Sequence, residues 1–146
     1  SWDVVHLHGK LTELRCMDDA CGHVWDIGYT EFDHKKGFCP RCGNKVIKPN
    51  VVFFDEQAPN YAKMYETVAM LDSSDVIVVM GTSGQVVPID YILMNKPGHK
   101  ILNNLEQRDI MGMKVAMNGF NCWDYEIYKS STEGVDDIQE IIEKYL

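Results

Sequence analysis

The chain carries the segments CMDDACG at residues 16–22 and CPRCG at residues 39–43. Four residues separate the cysteines of the first pair, two separate those of the second, and seventeen lie between the pairs. Two closely spaced pairs of thiols can surround one tetrahedral zinc ion and leave no coordination position open, so the site is expected to be structural. The spacing therefore predicts a zinc-ribbon module over residues 16–45. Its predicted ligands are Cys16, Cys21, Cys39 and Cys42.

A disulfide framework is the alternative for these cysteines. A chain of 146 residues can bury a core without disulfides, and its beginning, Ser1-Trp2-Asp3, lacks the basic start of a signal peptide. We therefore favour zinc and expect a cytoplasmic location, where thiols stay reduced. Cys122 lies outside the two pairs, close to Trp123, and is expected to be a buried small hydrophobe.

The composition argues against two classes of partner. The formal net charge is −8 and the sequence pI is about 5.0. Proteins that bind nucleic acid carry basic surfaces, so we expect no nucleic-acid partner. No apolar run approaches the roughly 20 residues of a membrane-spanning helix, so we expect no membrane partner.

The second half of the chain has an α/β pattern. The run VIVVM at 76–80 is β-branched and does not alternate, which is typical of a parallel strand covered on both faces. Further strands are expected at 100–104 and 123–128. Helical spacing of apolar residues predicts helices over 59–71 and 88–94 and a last helix. The expected fold is α/β, a partial Rossmann-like parallel sheet with helices, plus a small four-cysteine zinc-ribbon module.

Several local expectations accompany this fold. Residues 2–7 are expected to form a short strand, 46–54 to be extended, and 110–117 to pack irregularly. Thr132 is expected to cap the last helix. The apolar stripe of that helix is expected to contain Val135, Ile138, Ile141, Ile142 and Tyr145. The helix over 59–71 is expected to bury Tyr61, Met64, Tyr65, Val68 and Leu71. We expect two domains. Residues 1–15 and 46–146 would form the partial Rossmann-like domain, and residues 16–45 would form the zinc-ribbon module.

Three loops follow the predicted strands and are expected to line one crevice. They contain Gly81 to Gly84, Asn103-Asn104, and Ser130 to Thr132. Ligands of open α/β sheets bind at the carboxyl ends of strands. The dinucleotide fingerprint G-x-G-x-x-G is absent, so these residues alone leave nucleotide binding open.

Five motifs in order resemble the sirtuins, the NAD-dependent protein deacylases. Leu7-His8-Gly9 resembles the family's L-H-G segment, and the cysteine pairs resemble its zinc ribbon. Pro49 to Glu56 resembles P-x-V-V-x-F-G-E, Gly81-Thr82-Ser83 with Val87-Pro88 resembles G-T-S followed by V-x-P, and Asn104 resembles the asparagine of the I-N strand.

The resemblance implies an NAD-dependent lysine deacylase that transfers the acyl group to ADP-ribose. It implies that His8 is the general base that takes a proton from a ribose hydroxyl. It implies that NAD is bound by Gly81, Thr82, Ser83 and Asn104. It implies that Val51, Val52 and Phe53 offer an extended edge to an acyl-lysine protein or peptide. The implied cofactors are NAD and structural Zn²⁺.

Two departures from the family pattern stand out. Asp55 replaces the glycine of the family's F-G-E, which places a charge beside the acyl-lysine tunnel. The family's upstream half, with its glycine loop, does not match any part of this chain. The sequence therefore resembles the C-terminal portion of the core, and an N-terminal half is a possible complementing partner. A non-catalytic zinc-ribbon interaction module, or degenerate sirtuin, is the alternative function, and ADP-ribosyl transfer a weaker one.

Overall fold

The computed structural model describes residues 3–35, 37–58, 60–107, 109–110, 113–114 and 122–146. In chain order the elements are β1 (Gly9–Cys16), β2 (Val24–Asp26), β3 (Ile47–Val51), α1 (Tyr61–Ala69), β4 (Val76–Met80), α2 (Ile89–Leu93), β5 (His99–Asn104), β6 (Asp109–Ile110), β7 (Met113–Lys114), β8 (Tyr125–Tyr128) and α3 (Ser131–Ile142). The chain divides into two compact units, unit 1 (Ser1–Met64) and unit 2 (Tyr65–Leu146). The separation of residues 16–45 from the rest stays a prediction.

Unit 1 is built on a three-stranded antiparallel sheet in the order β2-β1-β3. The register pairs Gly9 with Val51 and Cys16 with Ile47, with an irregularity between Lys10 and Leu14. The sheet therefore holds the first cysteine at the end of its central strand. It also fixes the segment before Gly9 beside the chain that leaves β3.

The first strand begins later than expected. Residues 3–8 are irregular and turn-forming, and the predicted strand over 2–7 is wrong across its described residues. The Gly9 amide donates to the carbonyl of His6 at 3.2 Å, which closes a turn and reverses the chain. Val4 and Val5 are exposed, so their β propensity has no packed surface to fit.

Unit 2 contains a parallel sheet in the order β4-β5-β8, which confirms the expected α/β class. Its central strand buries neighbouring residues on opposite faces, as the pleat requires. Ile101 packs with Ile127 and with Ile138 and Ile141 of α3. Leu102 packs on the other face with Leu93 of α2 and Trp123. The sheet is thus covered on both faces, which explains its continuous apolar strands.

The helices differ from expectation at their ends and faces. Ser130 caps α3, since its hydroxyl accepts from the Glu133 amide while the Glu133 carboxylate bonds back to the Ser130 amide. Thr132 is therefore inside the helix, and Val135 is 50% exposed. Helix α1 buries none of its residues fully, and its predicted start at residue 59 lies outside the described residues.

The region expected to pack irregularly lies largely outside the described residues. The two short strands described there, β6 and β7, pair antiparallel. No helix among the described residues is both long enough and apolar enough to span a membrane.

Candidate functional site

The four predicted zinc ligands converge in unit 1. Their sulfur atoms all lie within 4.8 Å of one another. The Cys16 and Cys42 sulfurs are 3.6 Å apart, and those of Cys21 and Cys39 are 3.8 Å apart. A tetrahedron with Zn–S bonds of about 2.3 Å has sulfur–sulfur edges of about 3.8 Å. A disulfide needs about 2.05 Å, so the geometry favours a metal over the disulfide alternative.

Backbone hydrogen bonds shape the two turns that carry the cysteines. The amides of Cys21 and Gly22 donate to the carbonyl of Asp18 at 2.9 and 2.8 Å, and the Gly43 amide donates to the carbonyl of Cys39 at 2.9 Å. Gly22 and Gly43 have φ angles of +52° and +76°. Glycine reaches this left-handed region without steric cost, which explains why it follows each pair.

The electrostatics of the cluster suit a cation. Desolvation raises the pKa of Cys39, but hydrogen bonds from the backbone amides of Cys42 and Arg41 outweigh this effect, so that the pKa falls to about 7. The Asn44 amide lowers the pKa of Cys42, but desolvation and the three neighbouring sulfurs raise it to about 12. The pKa values of Cys39 and Cys42 therefore lie far apart within one cluster. A bound Zn²⁺ would let all four act as thiolates.

His8 stands in the turn before β1, and its side chain is exposed. Its carbonyl accepts from the Val52 amide at 3.0 Å, which places the predicted base directly beside the predicted peptide-binding edge. A Cβ on Gly9 would lie 1.9 Å from the carbonyl oxygen of Asn50. Only glycine allows this close approach, so Gly9 is a steric requirement of the turn that carries His8.

The segment after β3 is held by a lysine that sequence reasoning did not single out. The Lys48 ammonium donates to the Val51 carbonyl at 3.1 Å and forms an ion pair with the Glu56 carboxylate. It also lies 4.3 Å from the centre of the Phe53 ring. Glu56 accepts from the Phe53 amide at 2.9 Å, and the hydrogen bond from Lys48 lowers the pKa of Glu56. Lys48 therefore braces both ends of this segment.

A groove of about 270 Å³ runs along this part of unit 1. Its lining includes Leu7, Arg15, Lys48, Val51, Val52 and Glu56. Phe53 is 50% exposed and Phe54 fully exposed. Val51 and Val52, two of the three predicted peptide-binding residues, thus line the groove. The third, Phe53, follows them in the chain and is half exposed.

Asp55 has a φ angle of +70°, the conformation that glycine adopts easily. We expect Asp55→Gly to raise the free energy of unfolding of unit 1 by up to about 1.5 kcal/mol. The change removes about 1–2 kcal/mol of left-handed strain and adds about 0.5–1 kcal/mol of unfolded-chain entropy. Urea denaturation, monitored by a signal from unit 1, measures the difference in free energy of unfolding between variant and wild type. Asp55→Ala is the matched control, because it removes the charge and keeps the Cβ; a destabilised glycine variant would contradict the strain.

In unit 2 the structure brings Gly81, Thr82 and Asn104 together. The Asn104 side chain accepts from the Thr82 amide at 3.1 Å and donates to the Thr82 carbonyl at 3.0 Å. Gly81 has a φ angle of +63°, and no heavy atom lies within 4 Å of the place a Cβ would take. The Asn104 amide therefore clamps a loop whose glycine faces open space.

The two hydroxyls of this loop accept hydrogen bonds from backbone amides, and no described residue accepts a hydrogen bond from either of them. Thr82 Oγ1 accepts from the Gly84 amide at 3.1 Å, and Ser83 Oγ accepts from the Gln85 amide at 3.4 Å. A hydroxyl that accepts from the backbone can still donate its own hydrogen. Both side chains thus keep a hydrogen that they can donate.

The loop after β8 reaches the same edge of the parallel sheet, held by Asn103. This side chain is fully buried, and its amide donates to the carbonyls of Ile127 at 3.2 Å and Lys129 at 3.0 Å. Its Oδ1 has no partner among the described residues. Buried polar atoms are normally satisfied, so this unpaired acceptor is an exception within the packed interior of unit 2. Sequence reasoning placed Asn103 in the crevice but gave it no role.

The family model described as Sir2 family matches residues 1–88. An NAD-dependent protein deacylase of Helicobacter hepaticus is 37% identical over 98% of this chain and 54% of its own length. One of Campylobacter jejuni is 40% identical over 74% of this chain and 42% of its own. A mutant Sir2 homologue solved with ADP-ribose superposes with a TM-score of 0.70 at 25% identity, over 97% of this chain and 53% of that one.

The chain belongs to the Sir2 family, the sirtuins. It spans about half the length of two curated relatives that it matches over 98% of its own length. The resemblance on which the sequence analysis relied is therefore confirmed at the level of family and fold. The roles of individual residues stay predictions.

Proposed function

We propose that this chain is the zinc-bearing, C-terminal part of an NAD-dependent protein-lysine deacylase. The observation that carries the proposal is the hydrogen bond from the Val52 amide to the His8 carbonyl. It joins the candidate base to the candidate peptide-binding edge, directly next to the paired ends of β1 and β3. Two relatives named NAD-dependent protein deacylases support the reaction class.

In this proposal each part of the chain has a separate task. His8 would accept a proton from a ribose hydroxyl, which suits a neutral imidazole near pH 7. Val51, Val52 and Phe53 would bind an acyl-lysine peptide by strand addition, with Lys48 bracing the segment. The four cysteines would hold structural zinc and take no part in the chemistry.

Unit 2 would hold the adenosine side of the dinucleotide. Thr82 and Ser83 would donate hydrogen bonds to it, while Gly81 allows close approach of the backbone. Asn104 would position the loop, and the remaining hydrogen of its amide would contact a ribose. NAD, when bound, supplies the ADP-ribose to which the acyl group is transferred. The free thiols fit a reducing compartment, so we propose a cytoplasmic location.

A complementing N-terminal half would pair with β4. The strand β4, the apolar run Val76–Met80, pairs with β5 on one side, and no described strand pairs with its other side. Natural sheets rarely leave an uncharged, β-branched edge open. About half the length of the Helicobacter relative has no counterpart in this chain. We therefore propose that the partner on this edge is a strand from that missing half.

The test is a chimera that joins the upstream half of the Helicobacter relative to this chain. We expect it to bind NAD by calorimetry, release nicotinamide and deacylate an acyl-lysine peptide. The full-length relative serves as positive control, and this chain alone should be inactive. A folded, zinc-loaded chimera that binds no NAD would contradict the proposal.

A non-catalytic interaction module is the second candidate. It is favoured by exposed aromatic side chains of unit 1, which on a monomer often mark a contact surface. The most exposed are Tyr29, Phe38, Phe53 and Phe54. The chimera separates the two, because an interaction module predicts no NAD binding under any pairing.

A further inference from the structure

Among the described residues of unit 1, the side chain of His8 has one polar partner. Its Nε2 lies 2.9 Å from the hydroxyl of Tyr61, the first residue of α1. The two rings meet edge to face, with centroids 5.7 Å apart and an interplanar angle of 74°. Fifty-three positions separate the residues, so the contact is a product of the fold and not of local chain geometry.

The backbone around His8 is tied to the same part of the chain. The side-chain amide of Asn60 donates to the His6 carbonyl at 2.9 Å. On the other side the Val52 amide donates to the His8 carbonyl. The main chain is therefore fixed from two directions, and rotation of the exposed His8 ring is the main freedom left. A free side-chain rotor must lose that entropy before it can react in one orientation.

We propose that Tyr61 is a positioning residue for His8. The Nε2–H of the neutral imidazole donates to the Tyr61 hydroxyl oxygen, which fixes both the ring orientation and the tautomer. The Nδ1 lone pair is then free, since none of the described residues bonds to that atom.

This inference rests on the proposed role of His8 as general base. In the proton transfer, Nδ1 of His8 would accept the proton of a ribose hydroxyl, so that the O–H bond would break as an N–H bond forms and the electron pair would stay on the ribose oxygen. The resulting imidazolium keeps the hydrogen bond from its Nε2–H to the Tyr61 hydroxyl oxygen. Because hydrogen bonds from charged donors are stronger, the contact strengthens as the charge develops. Tyr61 thus acts through His8 without touching the reacting atoms.

The tautomer tests the proposal without any need for activity. In the zinc-loaded chain with ¹⁵N-labelled histidine, we expect the neutral His8 to show a protonated Nε2 and an unprotonated Nδ1. Tyr61→Phe keeps the aromatic ring and removes only the hydroxyl acceptor, so it should abolish the hydrogen bond from Nε2–H and give a mixture of the two neutral tautomers. Tyr65→Phe, one turn further along α1 and half exposed, should leave the His8 signals unchanged. A protonated Nδ1, or identical spectra for Tyr61→Phe and wild type, would overturn the proposal.

Kinetics of the chimera provide the second readout. Tyr61→Phe should lower kcat about tenfold, part of the roughly 10²–10⁴-fold that a positioned base contributes. The KM for NAD should change by less than about twofold, because binding does not involve the hydroxyl. A His8→Ala chimera that still turns over would defeat the proposed function itself. Loss of activity in His8→Ala with full kcat in Tyr61→Phe would defeat only the role of Tyr61.

Discussion

Replacing Cys39 by serine is expected to unfold unit 1 while unit 2 stays folded. Among the described residues of unit 1, the buried hydrophobic side chains are Leu14, Cys16 and Cys39. A three-stranded sheet with one buried aliphatic residue cannot offset its conformational entropy by apolar burial alone. Structural zinc contributes about 10–16 kcal/mol of apparent binding free energy, more than the whole stability of most domains, about 5–15 kcal/mol. Bound zinc would therefore be the principal stabiliser of unit 1.

The loss should be local, because unit 2 has its own core. Its two apolar clusters are centred on Ile101 and on Leu102, on opposite faces of the parallel sheet. Amide hydrogen exchange should show lost protection over β1 and β3 and retained protection over β5. Zinc content by mass spectrometry should fall from one equivalent towards zero, and a chelator should reproduce both changes in the wild type.

Cys122→Ser is the matched control for this prediction. Cys122 is partly buried against the Leu102 cluster and lies outside the four-sulfur group. The same chemical change there should leave the zinc content at one equivalent. Full zinc content in the Cys39→Ser variant, or unchanged protection of β1, would show that the cluster does not hold unit 1 together.

Local patterns in the sequence were sufficient for those parts of the fold that local physics decides. The cysteine spacing predicted a cluster whose sulfur distances fit one metal. The uninterrupted β-branched run at Val76–Met80 predicted a parallel strand, and β4 is one. In each case the signal and the structure span the same few residues. Short-range periodicity and ligand spacing are therefore reliable where the partner is a metal ion or a regular ladder.

Contacts between distant residues had no local signal. Tyr61 follows the apolar spacing of α1 and was expected on a buried face, yet its hydroxyl reaches His8. Lys48 precedes a proline in an unremarkable extended segment, yet it braces Val51 and Glu56. The strand predicted over residues 2–7 was wrong for the same reason, because the turn before β1 depends on the close approach of Gly9 to Asn50. Such features require knowledge of which strands pair.

Replacing His8 by alanine in the chimera is expected to lower kcat by roughly 10²–10⁴-fold, the contribution of a positioned general base. The fold should be unaffected, because the side chain is exposed and lies outside the zinc cluster. Zinc content and thermal stability should therefore match the wild type. NAD affinity by calorimetry should also be retained, which would assign the loss to the chemical step and not to binding.

His6→Ala is the matched control, since His6 is also exposed and lies two residues earlier in the same turn. Its structural contact is made by the backbone carbonyl, which accepts from Asn60 and survives the substitution. A loss of kcat in His8→Ala but not in His6→Ala would therefore identify the His8 imidazole as the group that acts in the chemical step. It would also exclude a general effect of disturbing the turn. If His8→Ala instead turned over like wild type, the proton would have to leave through another group, and the orientation that Tyr61 imposes on the ring would have no catalytic consequence.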